Sequence, residues 1–326
     1  MAGTTPESQG ALREYLRASL ANQLDDTDHL IAGDLLHDFT IDTAEMMEIY
    51  SIFATWLYRY GRKLALLRGN HDYSMRGAQA SSFDLLGLIL KERFPNQVTV
   101  ADEVTEWKQF VLVPHLPNND ELDLAVSKLS GVTNKVVVFH ANVDNFHAAD
   151  SQHSLNLSME QIEDLVSRGN LVLCGHEHQY RSLVGGKCVV LGNTAPSSVA
   201  DCIGSPKKYA WVIDDNGLSK IETWSADEHF LRVDWRDLDN VGDYDFIRVE
   251  GTAKAEEAAL VVDAIAKFRG KHTAYVISNA VQIDGQEGLE EAAQVTFDNV
   301  KGFDVMSALL AELEPEERKV IEGVMG

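Results

Sequence analysis

Four times along this chain a short apolar run gives way to glycine or to polar residues able to hold a cation. Leu30–Ala32 leads into Gly33-Asp34, and Leu64–Leu67 into Gly69-Asn70-His71-Asp72. Val136–Phe139 leads into His140, and Leu171–Cys174 into Gly175-His176-Glu177-His178. Apolar runs without alternation read as strands covered on both faces. Sheets flanked by helices gather their functional groups just outside the carboxyl ends of the strands. Four such ends can therefore meet at one place. Helices are predicted over 6–23, 43–60, 81–93, 119–129 and 158–168, between the strands. Pro6 suits a first helical position behind a Thr5 cap, and Gly61 suits the stop of the second helix. The fold class that follows is α/β.

The residue types at these strand ends suit phosphate chemistry. Hydrolysing a phosphodiester needs an activated water and relief of charge on the phosphorus oxygens, and two divalent ions about 4 Å apart supply both. Such ions take carboxylate, imidazole and amide oxygen ligands. Asp34, Asn70, His140, His176 and His178 make up that set. His176 and His178 are two apart, so in extended chain they share a face. Each piece alone has a plainer reading: Gly-Asp and Gly-Asn-His-Asp are common turns, and a lone His at a strand end usually packs. Their joint occurrence in this order favours the metal site.

Taken together, Gly33-Asp34-Leu35-Leu36-His37, Gly69-Asn70-His71-Asp72, His140 and Gly175-His176-Glu177-His178 resemble the calcineurin-like metallophosphoesterase family, over about residues 6–224. The resemblance implies a two-sheet sandwich flanked by helices. It also implies that Asp34 bridges two divalent ions, with Asn70, His140 and His176 on one and His178 on the other. His71 would be the non-ligand acid that protonates the leaving oxygen, and His37 a supporting residue. Manganese is the first expectation for the ions, with magnesium, iron and zinc as alternatives.

Within the family, Ile31–His37 and Gly69–Asp72 followed by Arg76-Gly77 are most similar to the SbcD-type DNA repair nuclease subunit. That similarity implies DNA as substrate, a coiled-coil ATPase of the SbcC type as partner and, as a further possibility, a homodimer. Gly192-Asn193-Thr194-Ala195-Pro196 and Tyr209–Asp214 look like the end of such a catalytic domain. Three segments are expected on this basis. They are a catalytic domain over 1–225, a small α+β capping-like domain over 226–286, and an acidic linker with two amphipathic helices, near 304–313 and 315–324, over 287–326. The acidic stretch 226–245 reads as a linker.

One family motif, an Asp-x-His closing the first strand, does not occur in the sequence. Asp28-His29 is a poor substitute, because His29 opens the strand that ends near Asp34, roughly 16 Å away at about 3.3 Å per residue. His147 and His153 lie in a polar loop, and His115 between two prolines reads as structural. The expectation is a first strand upstream of Met1, so that the catalytic domain as written is N-terminally truncated.

The formal charge of −23 across 326 residues disfavours a stand-alone DNA binder, which ordinarily shows a basic footprint. It keeps two other readings open: a phosphatase or phosphodiesterase for small substrates, and a non-catalytic remnant lacking a complete first metal site. No apolar run is long enough for a membrane span, and three cysteines without paired spacing indicate neither a disulfide framework nor a zinc ribbon. A cytoplasmic location is expected.

Overall fold

The computed structural model describes residues 6–73, 79–145, 155–242, 244–272 and 276–284. The described residues divide into a larger unit, Arg13–Phe230, and a second that joins those after Phe230 with those before Arg13.

Helix α1 (Pro6–Gln23) precedes strand β1 (His29–Ile31), α2 (Thr43–Tyr60), β2 (Leu64–Leu67), α3 (Ser82–Arg93) and β3 (Val98–Ala101). The strands form a parallel sheet in the order β1-β2-β3. The bounds of α2 follow from its ends. Asp42 accepts the Glu45 N–H at 2.8 Å, and Gly61, in the left-handed region at φ 64°, returns its N–H to the Leu57 carbonyl. Between them Met46, Ile49, Phe53, Trp56 and Leu57 recur at helical spacing and are all buried. Helix α3 opens on a reciprocal capping box between Ser81 and Asp84.

A second sheet uses β4 (Thr105–Trp107), β5 (Phe110–Val113), β6 (Val136–His140), β9 (Leu171–Gly175), β10 (Arg181–Leu183) and β11 (Cys188–Val190) in the order β10-β11-β9-β6-β5-β4. Its four central strands are parallel, and the edges β10 and β4 are antiparallel. Helices α4 (Asn119–Lys128) and α5 (Met159–Ser167) connect them, and the short strands β7 (Asn142–Val143) and β8 (Asn156–Leu157) pair beside them. Helix α6 (Val199–Gly204) and the hairpin of β12 (Lys207–Asp214) and β13 (Gly217–Ser225) follow.

Three apolar clusters hold these layers. One packs α2 and α3 on the first sheet through Phe53, Trp56, Phe83, Leu86 and Leu66. Another packs α4 and α5 on the second sheet through Leu122, Val126, Ile162, Leu165 and Phe139. The third draws Ala65, Leu67 and Ala101 from the first sheet together with Leu112, Val138 and Leu173 from the second. Side chains of a strand alternate between faces. Leu64 and Leu66 therefore serve one cluster while Ala65 and Leu67 serve the next. At roughly 1.5–3 kcal/mol for each fully buried large apolar side chain, this burial anchors the strand ends.

The second unit has its own core of Trp235, Leu238, Ile247, Val249, Val261, Ile265, Phe268 and Ile277. It contains strands β14 (Phe230–Asp234), β15 (Phe246–Glu250) and β17 (Val276–Asn279), helix α8 (Ala258–Lys271), and the pair β16 (Thr252–Lys254) and β18 (Gln282–Asp284). Here the reading of 226–245 as a linker is corrected. That stretch forms a short helix, α7 (Ala226–His229), then β14 and a 3₁₀ helix, Trp235–Asn240. Trp235 and Leu238 of that stretch are buried and enter the core. Residues Ala255–Glu257 form a 3₁₀ turn, and the chain becomes α-helical only at Ala258. The segments 287–326 and Arg76-Gly77, and His147 and His153, lie outside the described residues. No helix among the described residues is long and apolar enough to cross a membrane.

Candidate metal centre

The carboxyl ends of β1 and β2 meet those of β6 and β9, and close backbone approach makes this possible. A Cβ on Gly33 would stand 1.9 Å from His140 Nδ1, and one on Gly175 would stand 2.2 Å from the Ala32 carbonyl oxygen. Only glycine lets these loops touch. Two neighbours carry backbone strain: Asp34 and His176 adopt φ of 51° and 85°, which turns each sharply as its strand ends.

Asp34, His140 and His176 each offer a ligand atom, and the three atoms lie within 4.8 Å of one another. Asp34 Oδ2 is 3.2 Å from His140 Nε2. Asn70 completes the group, its Oδ1 lying 3.0 Å from His140 Nε2 and 2.7 Å from His176 Nδ1. His140 Nδ1 faces the Ala32 carbonyl at 2.9 Å, an acceptor only, so Nδ1 carries a proton. When the ring is neutral, its Nε2 lone pair therefore points into the cluster. With the Asn70 carbonyl inward, one carboxylate, one amide oxygen and two imidazole nitrogens face one point, and all are acceptors. Turned over, the Asn70 amide nitrogen would donate to the same rings and to Asp34 at 3.1 Å. Convergent acceptors repel unless a proton, an amide donor or a cation sits among them. This donor set suits a divalent ion with mixed nitrogen and oxygen preference.

Electrostatics within the cluster follow from burial and mutual charge. Burial disfavours the Asp34 carboxylate, but His140 and then His71 outweigh it and hold the group well below the usual range. Burial also disfavours the His140 imidazolium, and Asp34 outweighs that in turn, so its pKa is raised. His176 is lowered to about 4 by burial and by the neighbouring His140. A proton held between Asp34 and His140 is thus what a cation must displace. The raised His140 keeps that proton below its ordinary 6.5 and loses it as pH climbs through the raised value; the depressed Asp34 stays ionised down to acid pH. Divalent affinity is therefore expected to rise from pH 6 to pH 8, by up to about tenfold per pH unit for one displaced proton. Calorimetric titration with Mn²⁺ in buffers of different ionisation enthalpy measures both affinity and proton release. A pH-independent affinity with no proton released would contradict this reading.

The surrounding residues fix the loops. Asp72, wholly buried, accepts the Leu36 N–H at 3.1 Å and the Gly69 N–H at 2.9 Å, tying the first two motifs together. Burial raises its pKa to about 6. Glu177 accepts the Val143 N–H at 2.9 Å and an Arg181 N–H at 2.6 Å, which anchors the turn between the two histidines. His115 is buried with its ring 6.4 Å from that of His140, and burial lowers its pKa to about 3, so it is neutral.

His71 is exposed beside the cluster. Its backbone N–H donates to Asp34 Oδ1 at 3.0 Å, and its Nδ1 donates to the His37 carbonyl at 2.7 Å. The rings of His37 and His71 stack at 5.8 Å. His178 does not join the close group: its Nδ1 faces Asp201 Oδ1 at 2.9 Å. Asp201 belongs to no motif that would mark it in the sequence. His29 sits instead near Asp25, at 3.1 Å.

A model of the calcineurin-like phosphoesterase family matches residues 6–180, more than half of the chain. The chain is a calcineurin-like phosphoesterase. Hydrolysis of phosphoesters with divalent metal ions is the activity of this family, and the phosphoesterase carries a ligand cluster of the matching chemistry at Asp34, His140 and His176. No curated protein matches the phosphoesterase.

Proposed function

We propose that the phosphoesterase hydrolyses phosphodiesters of a nucleic-acid backbone, as the nuclease subunit of an SbcCD-like complex. The observation that carries the hydrolytic part is the convergence of Asp34, Asn70, His140 and His176 with the exposed His71 at its edge. These four residues would hold one divalent ion, and His178 with Asp34 would serve a second. Bound there, such ions supply Lewis acidity and an activated water. Asp34 is ionised and aimed by the His71 N–H, and so contributes a fixed negative charge. With Nδ1 committed to the His37 carbonyl, His71 has Nε2 as the nitrogen from which a proton can pass to the leaving oxygen. Support for a DNA substrate comes from the motif similarity to SbcD-type subunits and from the α+β unit that follows the catalytic unit.

The charge of −23 favours a second reading, a small-substrate phosphodiesterase or phosphatase. Incubating the protein and Mn²⁺ with end-labelled linear duplex DNA and, separately, with a small chromogenic diester distinguishes them. The proposal expects cleavage of both, with DNA cleavage falling steeply as salt rises. Turnover of the small diester with intact DNA, also in the presence of an SbcC-type ATPase, would overturn the nuclease reading.

A further inference from the structure

The segment after β11 closes over the His176–His178 turn and makes two separate holds on His178. Asn193 N–H donates to the His178 carbonyl at 3.3 Å, and Asp201 Oδ1 takes His178 Nδ1 at 2.9 Å. Asp201 is itself fixed on α6, where Ser198 caps the helix and accepts the Asp201 N–H at 3.1 Å. Its other oxygen, Oδ2, accepts the Ser197 N–H at 2.9 Å, the Ser197 hydroxyl at 2.6 Å and the Asn193 amide at 3.4 Å. The carbonyl of the same residue accepts from the buried ammonium of Lys208 at 3.1 Å.

These bonds decide what Asp201 can do. Three donors already crowd Oδ2 and an imidazole occupies Oδ1, so the carboxylate has little capacity left to ligate a cation. A carboxylate only accepts, so the bond to His178 puts the proton on Nδ1 and leaves Nε2 as the one ring nitrogen with a free lone pair. We infer that Asp201 is a positioning residue: it fixes the tautomer and ring orientation of His178 so that Nε2 serves as a metal ligand. The inference rests on His178 binding a divalent ion, as proposed above. Carboxylates and carbonyls behind metal-bound histidines commonly do this work, and their loss costs about 10–100-fold in metal affinity.

The test compares Asp201→Asn, Asp201→Ala and His178→Ala in the full chain. Thermal melts check folding, Mn²⁺ titration reads affinity, and nitrogen NMR of the histidine rings reads the tautomer. Asp201→Ala is expected to weaken the His178-dependent ion by about 10–100-fold and to release the Nδ1–H preference. The ion at Asp34, Asn70, His140 and His176 should keep its affinity. Asp201→Asn keeps the shape, but the three donors facing Oδ2 claim its amide oxygen and turn its amide N–H toward His178, so it should move the proton to Nε2 and weaken the His178-dependent ion. If alanine unfolds the protein, the asparagine variant still carries the test, because an unchanged tautomer with unchanged affinity for the weaker ion there contradicts the inference. Unchanged metal affinity and tautomer in Asp201→Ala, with His178→Ala still losing an ion, would overturn it. Should His178→Ala lose no ion at all, the assignment of His178 fails instead.

Discussion

Replacing Asp34 with Asn is expected to abolish hydrolysis for practical purposes and to empty the metal centre, while leaving a folded protein. The substitution keeps the shape and one oxygen, so the His71 N–H retains an acceptor. It removes the charge that faces His140 and that a divalent ion needs most. Loss of a single electrostatic contact to a transition state costs roughly 10²–10³-fold, and Asp34 serves both the ion and the fixed charge around it, so the expected loss exceeds that range. Metal content by mass spectrometry, together with turnover of a small diester, measures the two effects. Retention of stoichiometric metal, or a loss of less than about tenfold, would remove Asp34 from the centre of the account.

Replacing His71 with Ala is expected to separate chemistry from metal binding. No side-chain atom of His71 belongs to the close ligand group; only its backbone N–H reaches Asp34, and alanine keeps that bond. Turnover should fall by roughly 10²–10⁴, the usual cost of a lost general acid, with metal content near normal. The loss should be greatest for poor leaving groups, which need the proton, and smallest for nitrophenolate, which does not. An equal loss for both leaving groups would show that His71 does not act as the acid. A collapse of metal content would make it a ligand.

The parts of the fold that could be read in the sequence were those with one strong local cause. Leu64–Leu67 and Val136–Phe139 are apolar throughout because both faces of their strands are covered, and the strands lie where that pattern places them. The same cause exposed Asp34, Asn70, His140 and His176, each standing where an apolar run stops. Helix α2 announced its stop through Gly61. Asp201 was not legible, because its role comes from a contact across 23 residues with His178, set by a six-residue helix and no motif. The stretch 226–245 misled because charge outweighs pattern there: Trp235 and Leu238 reach the core from among Asp234, Asp237 and Asp239. Strands β10 and β11 are three residues each, too short to show a period. They are stabilised by their partners rather than by their own composition.

On the proposed reading, Asp34, Asn70, His140 and His176 hold an ion on which hydrolysis depends. Protein stripped with a chelator and titrated with Mn²⁺ tests it directly, with bound metal and turnover of a small phosphodiester measured in the same samples. Turnover should be absent at the start and should rise as the site fills. The same titration of Asn70→Ala or His140→Ala, in folded protein, should show weaker binding and a matching shift in activity. Hydrolysis by the stripped protein, or undiminished binding and turnover after those substitutions, would contradict the account.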